Sequence, residues 1–163
     1  MRVTLAVAAA ALVGLAACKG GSSPPADDLA AGAAEGAQGR GAVPIPPGAV
    51  RVDGRNFHVD AGIGEPCHPG TTCVVRLHLT ATGPFKVNKD YPHKFVADPT
   101  PGVVHEGVGP FQAQGTKTGF LPVRIRPSAA GPARVSGTFK LSVCDDETCQ
   151  IEAATVSVDV PVT

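Results

Sequence analysis

The sequence predicts an all-β fold in which two antiparallel sheets pack as a sandwich. Hydrophobic and polar residues alternate over several short segments, and this is the period expected of half-buried strands. The 20 glycines and 16 prolines among the 163 residues disfavour a helical bundle, because both are poor in helix interiors. Turn pairs such as Asp53-Gly54 and Gly131-Pro132 separate the alternating segments, as expected between short strands.

The charge balance excludes one class of partner. The chain has 14 Lys and Arg residues and 14 Asp and Glu residues, so its formal net charge is zero. Because non-specific attraction to nucleic acid phosphates needs an excess of basic residues, we expect no nucleic acid partner. The length is that of one ordinary folded domain, which we expect to be a monomer.

The first 17 residues have the features of a lipoprotein signal peptide. Arg2 precedes an apolar run over 3–15, which is too short for a transmembrane helix of about 20 residues. The segment Leu15-Ala16-Ala17-Cys18 resembles a bacterial lipobox, in which the cysteine is lipid-modified and becomes the new N-terminus after cleavage. We therefore expect lipidation at Cys18 and attachment to a membrane through that lipid. An ordinary signal peptide with a nearby cysteine is the alternative.

Residues 18–48 form the predicted tether. They are mostly Ala, Gly, Pro, Ser and Asp, and such a segment buries too little apolar surface to offset its ordering entropy. Random-coil scaling gives a mean span of ~30 Å for this flexible linker. Lys19 follows the cysteine, and by resemblance to Gram-negative lipoproteins this favours the outer membrane over the inner membrane. We expect a location in the bacterial cell envelope, facing the periplasm.

Residues 49–163 contain the predicted strands of the folded domain. The clearest alternation covers 73–81, 120–126, 134–143 and 156–162. Shorter candidates are 50–52, 56–60, 85–87, 94–97 and 103–105. Seven to nine short strands with almost no helical periodicity are typical of an immunoglobulin-like β-sandwich.

Four cysteines remain after Cys18, in two close pairs. Cys67 and Cys73 form the first, and Cys144 and Cys149 the second. An even number in an exported protein indicates disulfides, and pairing by proximity is the simplest of three possible connectivities. We expect Cys67 and Cys73 to form a structural disulfide in the loop that precedes the predicted strand 73–81. A zinc site there is disfavoured because structural zinc sites prefer shorter Cys spacing, so we expect no metal and no cofactor.

The second cysteine pair has a geometry suited to thiol–disulfide exchange. Odd positions of the strand 134–143 and even positions of the last strand face the core, so Cys144 and Cys149 both face outwards. A four-residue loop would place them opposite each other, with Cα atoms about 4.5–5.5 Å apart, within reach of a disulfide. So short a ring stabilises by roughly 2 kcal/mol or less, and an exposed bridge suits exchange chemistry better than stability. An inert hairpin disulfide remains the alternative.

The loop between these cysteines is acidic. Asp145, Asp146 and Glu147 should raise the thiol pKa values above the usual ~8.5, because negative charge disfavours a thiolate. This favours a partner-dependent electron carrier over a free-standing oxidoreductase of the thioredoxin type.

The segments 83–92 and 139–144, with Cys149 following, resemble the N-terminal periplasmic domain of DsbD-type thiol:disulfide interchange proteins. The resemblance implies an immunoglobulin-like sandwich in which Cys144 and Cys149 exchange electrons. Their donor would be a thioredoxin-like or membrane-embedded protein, and their oxidants periplasmic client proteins. It also implies a covering loop over 88–94, with Tyr91 or Phe95 as the shield.

Two functions follow from these features. The first is a membrane-anchored lipoprotein that relays thiol–disulfide exchange, as a reductase or electron-relay component. The second is a non-catalytic β-sandwich lipoprotein with two structural disulfides, acting as an envelope scaffold or accessory protein.

Overall fold

The structure, a computed structural model, describes residues 43–163 and consists of β-strands joined by turns. The predicted signal peptide, Cys18 and most of the predicted tether lie outside the described residues. No helix long and apolar enough to cross a membrane occurs within the described part of the chain. The strands are β1 Val50–Asp53, β2 Phe57–Ile63, β3 Cys73–Ala81, β4 Lys86–Val87, β5 Lys94–Ala97, β6 Val103–Val108, β7 Gln112–Gln114, β8 Thr118–Pro127, β9 Gly131–Cys144 and β10 Cys149–Val162.

The strands form two antiparallel sheets. Sheet 1 has the order β1-β2-β3-β8-β6, and β7 also pairs with β8. Sheet 2 has the order β10-β9-β4, and β5 also pairs with β9. The apolar sides of both sheets contribute to one hydrophobic core. The predicted immunoglobulin-like antiparallel β-sandwich is therefore confirmed.

Strands β9 and β10 show how the alternation builds this core. Val143 and Leu141 of β9 are fully buried, as are Val156 and Val160 of β10. Removing each such side chain from water contributes roughly 1.5–3 kcal/mol, so the burial of alternate residues decides which face of the sheet turns inwards. The outward residues between them are left for solvent and for the site described below.

Two parts of the sheets go beyond the sequence prediction. Strand β7 was not predicted, because three polar and small residues, Gln112–Gln114, are too few to show a period. Strand β10 begins at Cys149, seven residues before the predicted 156–162, because its first half pairs with β9 without a hydrophobic alternation of its own. Ile151 in that half is 70% exposed on the outer face.

The chain is already packed just before β1. Pro46 is buried, and a Cβ atom on Gly62 of β2 would lie 3.2 Å from its Cβ atom. A side chain at position 62 would therefore crowd this segment against the sheet. Packing against sheet 1 begins three residues before 49, where the sequence predicts the start of the domain.

Candidate functional site

The candidate site is the disulfide between Cys144, the last residue of β9, and Cys149, the first residue of β10. The two residues are direct register partners, with Cα atoms 4.0 Å apart. Cys149 is exposed and Cys144 is half-buried, both on the outer side of sheet 2. The predicted pairing and the outward orientation at a hairpin neck are therefore confirmed. An incoming thiol has better access to the sulfur of Cys149.

The loop between the cysteines is a hydrogen-bonded turn. The Asp145 carboxylate accepts the backbone N–H groups of Thr148 at 2.7 Å and Glu147 at 2.9 Å. These two hydrogen bonds lower the pKa of Asp145, and the bond from Thr148 has the larger effect. The Asp145 N–H in turn donates to the Thr148 carbonyl at 2.9 Å and closes the hairpin. This carboxylate is thus engaged with the backbone of its own turn.

A lysine that the sequence did not single out accompanies the acidic turn. Lys86 of β4 is the register partner of Cys144 on the side opposite β10. Its Nζ atom donates to Asp146 Oδ1 at 2.6 Å, and this hydrogen bond, with the charge of Asp146, raises the pKa of Lys86. The acidic turn that was expected to raise the thiol pKa values is thus accompanied by a positive charge. In the sequence, Lys86 lies in the predicted strand 85–87 and in the segment 83–92 that resembles the DsbD-type domain.

The predicted covering loop begins beside the disulfide. The side-chain amide Nδ2 of Asn88 lies 4.0 Å from Cys149 Sγ and 3.4 Å from Ser142 Oγ. The Asn88 N–H donates to the Ser142 carbonyl at 3.1 Å, which aligns the loop start with β9. The Tyr91 N–H donates back to the Asn88 carbonyl at 3.3 Å. The structure thus places Asn88 next to the sulfurs.

The two predicted shield residues, Tyr91 and Phe95, contact an aromatic ring of the loop and the core, respectively. Phe95 is the register partner of Phe139, which is fully buried, so Phe95 packs against the core from β5. Cys144 is five positions further along β9 and on the opposite face, so Phe95 is not placed to cover the disulfide. Tyr91 packs edge-on against His93, with ring centroids 5.3 Å apart.

His93 fastens the end of this loop. Its ring is buried and stacks on Phe111 with centroids 3.9 Å apart. Burial lowers the pKa of His93, although a hydrogen bond to the Asn88 carbonyl acts in the opposite direction. That bond is 2.9 Å long, and Nε2 carries its hydrogen because a carbonyl oxygen only accepts. The neutral ring therefore anchors the same residue that contacts Cys149.

The other disulfide has the opposite environment. Cys67 is 0% exposed and Cys73 is 9% exposed, and their Cα atoms are 5.6 Å apart. The Thr163 N–H donates to the Cys67 carbonyl at 2.9 Å, and Cys67 forms a bridge with Val162 at the end of β10. The predicted proximity pairing is confirmed, but this disulfide lies in the core and helps to fasten the C-terminal strand.

The histidines next to this disulfide have other contacts. His68 lies 2.7 Å from the Thr163 carbonyl through Nδ1, and His78 packs against Phe120 with ring centroids 5.5 Å apart. Within residues 43–163, no three His, Cys, Asp or Glu side chains are grouped so that they could hold a metal ion.

Comparisons with known proteins find weak structural likenesses. No protein-family model and no curated protein matches the sequence. The chain is similar to the GAE domain of GGA2p from Saccharomyces cerevisiae, with 12% identity, a TM-score of 0.46 and coverage of 68% of this chain and 96% of that one. The GAE domain of yeast GGA1 has 10% identity, a TM-score of 0.43 and coverage of 66% and 95%. Both TM-scores are below 0.5 and both identities are below 25%, so these likenesses carry no conclusion about this chain.

Proposed function

We propose that this protein is a membrane-anchored envelope lipoprotein that relays thiol–disulfide exchange through Cys144 and Cys149. The contrast between its two disulfides supports this most directly. Exchange requires a thiolate to reach a disulfide sulfur, and Cys149 is exposed at a hairpin neck whereas Cys67 is fully buried. The exposed Cys144–Cys149 disulfide is therefore the one suited to thiol–disulfide exchange.

The exchange is a two-electron transfer between dithiols and disulfides. A thiolate of a reduced donor attacks Cys149 Sγ, a mixed disulfide forms, and the bond to Cys144 breaks with its electron pair on Cys144 Sγ. The second donor thiol then attacks the donor sulfur of the mixed disulfide and releases Cys149. The donor ends as a disulfide, while this protein takes up two electrons and two protons as a dithiol. A periplasmic client disulfide reverses these steps and is reduced.

The donor and client classes follow from the DsbD resemblance. The donor would be a thioredoxin-like protein or a membrane-embedded dithiol protein. The loop that starts at Asn88 supports the idea of a partner-gated site, since it contacts Cys149 and is held by the buried ring of His93. A partner that displaces Asn88 gains fuller access to the sulfur.

We expect reduced thioredoxin to reduce only the exposed disulfide of the folded protein. After excess reduced thioredoxin and quenching with iodoacetamide, mass spectrometry should find Cys144 and Cys149 alkylated, while Cys67 and Cys73 stay bonded. The buried pair serves as the internal control within each molecule. Resistance of Cys144–Cys149 to thioredoxin, or a reduction potential below about −300 mV, would instead support the non-catalytic scaffold or accessory lipoprotein.

The membrane attachment is proposed to run through lipid on Cys18. Lipid chains bind a bilayer with ~0.8 kcal/mol per buried methylene, so two or more chains hold a protein firmly. Expressed with its full N-terminus in a Gram-negative host, the protein should incorporate labelled palmitate and sediment with the outer membrane. A Cys18→Ala variant should lose both the label and the membrane association. An unlabelled wild-type protein would contradict the lipid anchor.

A further inference from the structure

Lys86, Cys144 and Cys149 form one row across the outer side of sheet 2. Lys86 is the register partner of Cys144 on one side, and Cys149 is its partner on the other. Lys86 is exposed and the next residue, Val87, is buried, so the lysine side chain projects to the same outer face as the sulfurs. Side chains directly opposite on antiparallel strands have Cβ atoms about 4.5–5.5 Å apart, so the Lys86 ammonium lies within reach of Cys144.

The surroundings make the two sulfurs inequivalent. Cys149 is exposed and its side-chain neighbour is the neutral amide of Asn88 at 4.0 Å. Cys144 is half-buried and has a lysine as its register partner. We propose that Lys86 determines which sulfur is attacked, because it stabilises the thiolate that departs on Cys144 when a donor thiolate bonds to Cys149. This inference rests on the proposed exchange function and names a specificity-determining residue for it.

Other charged groups around the disulfide lie in the turn, and Lys89 and Asp90 follow Asn88 on the loop beside Cys149. Asp145 is engaged with two backbone N–H groups, and Glu147 adds a further negative charge. Asp146 holds the Lys86 ammonium at 2.6 Å, with side chains 87% and 50% exposed. Exposed ion pairs contribute little to stability, so the ammonium can leave Asp146 for a newly formed thiolate. On β10, Cys149 and Ile151 carry no fixed charge, so Lys86 is the cation that the strand pairing sets beside Cys144.

The inference is tested by alkylation of the chemically reduced protein. With dithiothreitol removed, the rate of iodoacetamide modification of each cysteine is followed against pH by mass spectrometry. Cys144 should form its thiolate at lower pH than Cys149 in the wild-type protein. In Lys86→Gln the rate at Cys144 near neutral pH should fall about tenfold, because loss of a nearby opposite charge disfavours the thiolate. The rate at Cys149 should change much less.

Two further variants serve as controls. Lys86→Arg keeps the positive charge, so Cys144 should still form its thiolate at lower pH than Cys149. Lys140→Gln removes an exposed lysine on the same face of β9, away from the disulfide, and should leave both rates unchanged. An unchanged Cys144 rate in Lys86→Gln, or an equal fall in Lys140→Gln, would overturn the inference. Because the assay uses chemical reduction, its result is independent of whether thioredoxin reduces the disulfide.

Discussion

Replacing both Cys67 and Cys73 by Ala is expected to lower the free energy of unfolding by about 3–5 kcal/mol. Loop closure in the unfolded chain accounts for roughly 2 kcal/mol of this, and the space left by two buried sulfur atoms accounts for the rest. The variant should also loosen the end of β10, because Cys67 binds Thr163 and bridges to Val162. Urea unfolding followed by far-ultraviolet circular dichroism measures the change, since the chain has no Trp.

The exposed pair is the matched control for this experiment. Its sequence separation is 5 and that of the buried pair is 6, so the two ring sizes are nearly equal. Replacing Cys144 and Cys149 by Ala should therefore cost about 2 kcal/mol or less, because only the loop-closure contribution is lost. The difference between the two double variants measures the effect of burial. Equal losses would show that the core position of Cys67 and Cys73 adds nothing to stability.

Acidification from about pH 7.5 to about pH 5 is expected to destabilise the fold, because buried histidines must take up protons on unfolding. Burial lowers the pKa of His78, His93 and His105. Their unfolded pKa is about 6.5, so the folded protein binds fewer protons below that pH. The stability from the neutral rings is complete above about pH 6.5 and is lost as the pH falls towards the lowered folded values. Each of these histidines contributes at most about 1.4 kcal/mol per pH unit, and the half-buried His105 contributes less.

His93→Phe separates the contribution of the loop histidine. Phenylalanine keeps the stacking on Phe111 but cannot be protonated and does not bond to Asn88. The free energy of unfolding of this variant, from urea unfolding at each pH, should change less steeply with pH than that of the wild-type protein. The difference in slope is the contribution of His93. A wild-type stability that is equal at the two pH values would contradict the prediction, as would an unchanged slope in the variant.

The geometry of the exposed disulfide was predictable from local pattern alone. Alternation over β9 and β10 assigned Cys144 and Cys149 to the outer face, and a four-residue loop left one simple register between them. The short segment 94–97 was also predicted as a strand, but four residues did not reveal which face Phe95 presents. Phe95 pairs with the fully buried Phe139, and this pairing shows that Phe95 faces the core.

What the sequence by itself determined is therefore what depends on neighbours along the chain. This covers the longer strands with clear alternation, their inward faces and the outward orientation of Cys144 and Cys149, with proximity pairing as the simplest connectivity. Only the tertiary structure brought Lys86 beside Cys144 and Asn88 beside Cys149, since these pairs are 58 and 61 positions apart in the sequence. It also decided that the Cys67–Cys73 disulfide, predicted as a staple in a loop, lies in the core. The physical reason is that strand periodicity orients side chains locally, whereas burial and charge at a site depend on which distant strands pair.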